Sequence, residues 1–126
     1  MSGRIRSLKP EWLEDELMLS CSSDARVLSV AMILLADDHG NGRGSETYLA
    51  AQVFPGKGVR ILKDALAELQ AMRLVITYQI DGQNYFSIRN WDKHQRVDKP
   101  GRPRVPAPSA RQEANPVTET KVAYFV

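Results

Sequence analysis

The sequence has one cysteine, Cys21, so an internal disulfide is impossible. That excludes the disulfide-stapled scaffolds of small secreted domains. It predicts an intracellular chain, with a reducing cytoplasm as the expected setting. No apolar run approaches the ~18–20 residues of a membrane helix; the longest, Val30 to Ala36, has seven. Arg4, Arg6 and Lys9 open the chain, but acids follow them rather than an apolar block, which is not a signal-peptide pattern. A membrane partner is therefore not expected. Also lacking are a phosphate-binding glycine loop, a paired-carboxylate motif and a nucleophile motif around Cys21, which reads as a buried or half-buried thiol. Neither an enzyme nor a cofactor is expected. Asp37, Asp38 and His39 come closest to a metal site. They sit beside glycines at a helix end, with no second ligand cluster and with His94 far away in sequence, so capping or turn formation is the expected role and no metal is predicted.

What is present is charge, unevenly spread. A chain of 126 residues suits one domain with tails, and a hydrophobic content of 43% supports a modest core. Net charge is only +2. Residues 1–10 carry three bases and no acid, residues 11–88 six bases and eleven acids, and residues 89–126 eight bases and four acids. An acidic body thus lies between two basic arms. Arms that bind nucleic acid have this pattern, although basic tails also serve solubility.

The periodicity predicts helices first and strands later. Pro10, Glu11, Trp12, Leu13, Leu17 and Met18 suggest a short helix with proline and acids in its first turn, Trp12 anchoring it to the core. Ser22, Ser23 and Asp24 form a capping cluster before the dense apolar series from Val27 to Leu35. That helix is expected to be largely buried and to stop near Asp38, ahead of Gly40, Gly42 and Gly44. Thr47 is placed to cap a second helix ending at Pro55-Gly56. A third runs from about Gly58 to Met72 with Val59, Leu62, Leu66 and Leu69 on one face. Then LVITYQI and NYFSIRN flank Asp81-Gly82, which predicts a β-hairpin. Pro100, Pro103, Pro106, Pro108 and Pro116 mark a linker-like tail, closed by the apolar TKVAYFV. The expected division is a basic arm with a short helix (1–21), a folded domain (22–91) and a basic, proline-rich flexible tail (92–126). Three helices followed by a hairpin is the order of a winged helix-turn-helix, an α+β fold, although other small α+β domains share it.

Five stretches resemble a known family. They are RIRSLKPEW at Arg4–Trp12, the helix start at Ser22–Leu28, LADDHG at Leu35–Gly40, VFPG at Val53–Gly56 and DGQNYFSIRNWDKHQRVDKP at Asp81–Pro100. Together, in this order, they are similar to the N-terminal winged-helix module of phage and prophage replication-initiation proteins, including the DnaD-like replisome organisers. The resemblance covers about residues 4–106. It implies duplex DNA binding in replication initiation, often with recruitment of the host replicative helicase or another replication protein. The chain departs from longer members in having no second helical domain after its tail.

Candidate DNA contacts fall in four groups. Lys57, Arg60 and Lys63 cluster at the start of the third helix, the end that enters a major groove in a helix-turn-helix; a solvated outer face would carry them equally, as Asp64 and Glu68 suggest. Gln83 and Asn84 sit at the hairpin tip. Arg89, Lys93, Arg96, Lys99, Arg102 and Arg104 form a basic stripe where the chain leaves the domain, weakened but not cancelled by Asp92 and Asp98. Arg4 and Arg6 supply the N-terminal arm. The expected function is therefore phosphate-dominated binding to double-stranded DNA in replication initiation. A transcriptional regulator or recombination-directionality factor on the same fold is an alternative. So is an adaptor whose acidic body binds a basic protein without DNA. A homo-oligomer remains open.

Overall fold

The computed structural model describes residues 4–114. Among these residues the chain forms seven helices and one three-stranded antiparallel sheet. Two short helices, α1 (Glu11–Glu14) and α2 (Glu16–Leu19), precede α3 (Ser23–Leu35). A three-residue strand β1 (Asn41–Arg43) leads to α4 (Glu46–Val53) and α5 (Val59–Ala71). The hairpin β2 (Val75–Ile80) and β3 (Gln83–Ile88) follows, and the short helices α6 (Trp91–His94) and α7 (Ala110–Ala114) come last. TKVAYFV lies outside the described residues.

The core is built by α3, α4, α5 and one face of the sheet. Leu28 and Met32 of α3, Leu49 of α4, Leu62 and Leu69 of α5 and Phe86 of β3 are fully buried. Each such leucine is worth roughly 1.5–3 kcal/mol relative to an exposed one. Ser22 caps α3 by accepting from the Ala25 amide at 3.1 Å. Its own hydroxyl and amide donate to the Glu68 carboxylate, which ties the cap of α3 to α5. Glu68, read from sequence as part of a solvated face, thus joins two helices.

The strongest local expectation holds. Asp81 and Gly82 both have positive φ, 51° and 78°, the backbone of the two-residue turn whose twist matches paired strands. Ile80 then faces Gln83 and Val75 faces Ile88 in register.

Three elements differ from expectation. The first helix is broken at Asp15, which leaves helical geometry with ψ 122° and caps α2 through the Leu17 amide. α4 is capped by Ser45, which accepts from the Tyr48 amide, and not by Thr47, which lies inside the helix. The glycine-rich stretch is not a mere stop. Asn41–Arg43 pairs with β3, Gly42 opposite Phe86. A β-carbon at Gly42 would stand 2.5 Å from the Phe86 ring, so only glycine lets β1 approach this closely. Gly42→Ala is expected to cost about 1–3 kcal/mol, because a fully buried ring must shift to admit one methyl. A urea titration showing an unchanged midpoint would contradict this packing.

The tail also differs. Its prolines bar helix and central strand, but they do not prevent docking. Gly101 N donates to Asp38 Oδ2 at 2.8 Å, Arg104 N to Asp37 Oδ2 at 3.1 Å, and the Tyr78 hydroxyl to Pro106 O at 2.7 Å. Gln112 Nε2 reaches Gln79 O at 3.0 Å. Residues 101–112 therefore run along the domain surface, held by it at Gly101, Arg104, Pro106 and Gln112 among others.

Candidate nucleic-acid interface

The α4–α5 connection sets the geometry of the first candidate group. Phe54 is buried, and Lys57 N donates to Phe54 O at 3.1 Å, which closes a tight turn into α5. The buried face of α5 is Leu62, Ala65, Leu66 and Leu69. Helical spacing then directs Arg60, Lys63 and Asp64 outward. Lys57 is exposed, the Arg60 side chain is 87% exposed and that of Lys63 is 55% exposed. Arg60 Nε lies 3.6 Å from Asp64, and Lys63 Nζ lies 3.9 Å from Glu46. Such exposed pairs are worth at most about 1 kcal/mol and yield readily to a stronger anion. Gly58 gives α5 no side-chain cap, so its first-turn amides are left unpaired by any capping group.

The hairpin tip is exposed at Asp81, Gly82, Gln83 and Asn84. Asn84 Oδ1 accepts from Gln79 Nε2 at 2.7 Å, while Gln83 stands exposed beside the equally exposed Asp81 carboxylate. Arg43, which sequence reasoning passes over, stands in β1 opposite Tyr85, exposed, with its guanidinium 4.0 Å above the Tyr48 ring. A base between two glycines in NGRG is the available signal.

The exit stripe is heterogeneous. Lys93, Arg96, Lys99 and Arg102 are exposed. Arg96 lies 3.4 Å from Asp98, and Arg89, only 38% exposed, lies 3.8 Å from Glu113. Arg104 is exposed, while its backbone is held by Asp37. Lys93 and Lys99 lend their carbonyls to Lys9 and Arg4, so the N-terminal arm and the exit segment lie side by side. The Gln95 side chain, buried at 6%, pairs with both backbone groups of Ser7 at 3.0 and 2.6 Å and fixes that alignment. Between arm, α3 and sheet runs a groove of about 420 Å³ floored by Trp12, Ile33, Val75 and Ile88, with Arg89 and Lys93 on its rim.

The N-terminal arginines are not arranged as a DNA arm. The Arg6 side chain is 5% exposed, donates to Asp38 Oδ1 at 2.9 Å and to Ala36 O at 3.1 Å, and lies 5.1 Å over the Trp91 ring. Buried and paired in this way, Arg6 presents no charge to a phosphate at the surface, contrary to the sequence expectation. Arg4, half exposed, is held by Asp38 at 2.9 Å and by Lys99 O. The hub is Asp38, which receives both arginines and the Gly101 amide. The Gly101 amide and then the arginines beside it hold its carboxyl below the usual range, against an opposing effect of burial. Asp37, 2% exposed, receives the amides of His39, Asn41 and Arg104. The pair therefore caps and ties. Trp91, buried at 6%, donates its indole to Asp38 O at 2.9 Å. Elsewhere, burial and then the Glu68 charge push the Cys21 thiol up, and burial raises the Tyr78 hydroxyl.

Among the described residues no three His, Cys, Asp or Glu side chains group as a metal site, and no helix is long and apolar enough to cross a membrane. No family model, no curated protein and no solved structure matches the chain.

Proposed function

We propose that the protein binds duplex DNA as a winged helix-turn-helix module of phage or prophage type, acting in replication initiation. One observation carries the reading: the tight turn after α4 leaves Lys57 exposed just ahead of α5, and α5 turns Arg60 and Lys63 to solvent in its N-terminal half, with first-turn amides that take no side-chain cap. A helix end of this kind suits phosphate and a major groove. The order α3, α4, α5, then β2–β3 with β1 added beside β3, supports the assignment of the hairpin as a wing. Exposed Lys93, Lys99 and Arg102 would add phosphate contacts beyond the domain. With roughly six such contacts the log–log salt slope is expected near −5.4.

Replacing Arg60 and Lys63 together by alanine is expected to weaken duplex binding at low salt and to flatten the slope by about 1.8, which is about 0.9 for each phosphate no longer neutralised. The fold should persist, since both side chains lie off the buried face. Titration of a labelled duplex across a salt series measures both quantities. Unchanged affinity and slope would remove α5 from the interface. A second reading, an adaptor for a basic protein surface such as a replicative helicase or another replication protein, is favoured by the acids that already face Arg60 and Lys63. It predicts no duplex binding even at low salt.

A further inference from the structure

The outer side of α3 is apolar and uncovered. Nine of its thirteen residues are apolar, a composition that reads as a helix buried all round. The body covers only one side: Ala25, Leu28 and Met32 are fully buried. Val27 and Leu34 remain 52% and 53% exposed, with Val30 and Ala31 half-buried between them. Positions 27, 30, 31 and 34 fall in one stripe, roughly 140° around the helix from the buried row. Beside the stripe lies an open trough of about 480 Å³, with Trp12 on its far wall.

We propose that this stripe is where a second copy of the chain docks, α3 against α3, antiparallel about a two-fold axis between Val30 and Ala31. Two features select this occupant, and a third sets the strength of the contact. The stripe carries no carboxylate, and the one base at its edge, Arg26, is drawn over the Trp12 ring at 5.2 Å. It therefore offers nothing to a charged partner or to nucleic acid, whereas apolar, charge-poor patches are typical of homodimer interfaces. A two-fold contact must also be self-complementary. Here Val27 would meet Leu34 of the partner subunit, while the smaller Val30 and Ala31 at the centre permit close helix approach, about 8–10 Å between axes. Finally, the area is modest. A thirteen-residue helix is about 20 Å long and 10 Å wide, or on the order of 200 Å² in projection. Even doubled by the Trp12 wall, that is about half the ~800 Å² per partner of a standard interface. The dimer is thus a weak one, forming in concentrated solution and dissociating on dilution. It leaves the outer face of α5 open on both copies and does not depend on the DNA reading.

Sedimentation velocity of the full chain without DNA, from micromolar to near-millimolar protein, tests the proposal. The wild type should shift from monomer towards dimer with concentration. Val27→Glu alone or Leu34→Lys alone should abolish the shift. The double variant should restore it, because an antiparallel pairing sets each introduced carboxylate opposite an introduced ammonium on the other copy. Within one helix the two positions are about 10 Å apart and do not pair. Thermal melting of each variant should match the wild type, since both positions are already more than half exposed. A wild type that stays monomeric throughout, or single variants that associate like it, would overturn the proposal. A double variant that stays monomeric would overturn the antiparallel register.

Discussion

Asp38→Ala is expected to lower the unfolding free energy by about 3 kcal/mol, a large share of the stability of a chain this size. The cause lies less in the carboxylate than in what it leaves behind. The Arg6 side chain is 5% exposed and its Nε already has no partner. Without Asp38 it keeps only the Ala36 carbonyl as a hydrogen-bond acceptor, beside the Trp91 ring, and a charge held out of water with one neutral acceptor is strongly unfavourable. The Gly101 amide loses its acceptor in the same step. Arg6→Met should cost less, because it removes the buried charge together with its need for a partner. Urea unfolding of the two variants measures the difference, and equal losses would refute the account. The pH dependence has a definite sign. The Asp38 carboxyl is held below its ordinary value, first by the Gly101 amide and then by Arg6 and Arg4. Its stabilising effect is therefore fully present above the unfolded value of about 3.9 and is lost as pH falls through the lower folded value. In that acid window the wild type should lose stability more steeply than Asp38→Ala.

This hub also shows why the fold is only partly legible in the sequence. α3, α4, α5 and the hairpin can be read from local signals: the cap at Ser22, the apolar spacing through Leu62, Leu66 and Leu69, and Asp81-Gly82 between two β-branched runs. Each acts over a few residues. β1 escapes such a reading because Gly42 and Gly44 look like breakers, whereas their use is to let one strand lie against Phe86 and Tyr85. Arg4 and Arg6 read as DNA contacts because a base near a terminus has no visible partner in one dimension; theirs, Asp38, lies more than thirty residues on. The α5 bases face solvent as their spacing predicts, since helical geometry alone decides which way they point.

Removal of residues 99–126 is expected to lower both stability and DNA affinity, by about 2 kcal/mol in stability and by a sequence-independent factor in affinity. The segment reads in sequence as a free basic clamp. In the structure it donates two backbone amides to the carboxylates of Asp37 and Asp38, and it accepts the Tyr78 hydroxyl at Pro106. Hydrogen bonds to charged acceptors contribute roughly 1.5–3 kcal/mol each and a neutral one about 1. Ordering the backbone between them opposes this gain and contact with the domain adds to it, so the net effect is smaller than the sum of the bonds. Tyr78→Phe isolates one link of that chain and should cost about 1 kcal/mol while leaving the ring in place. For DNA, truncation removes Lys99, Arg102 and Arg104. If the first two each meet a phosphate, the salt slope falls by about 1.8, equally for random and chosen duplexes. Thermal unfolding and duplex titration on the same truncated chain separate the two effects. Unchanged unfolding would mean that the docked segment adds nothing to the fold. A loss confined to one duplex sequence would mean that it reads bases. A strap held by Asp37 and Asp38 predicts neither: its carboxylate-bound amides set where the backbone runs, and its exposed bases are carried along a line that phosphates can follow whatever the sequence.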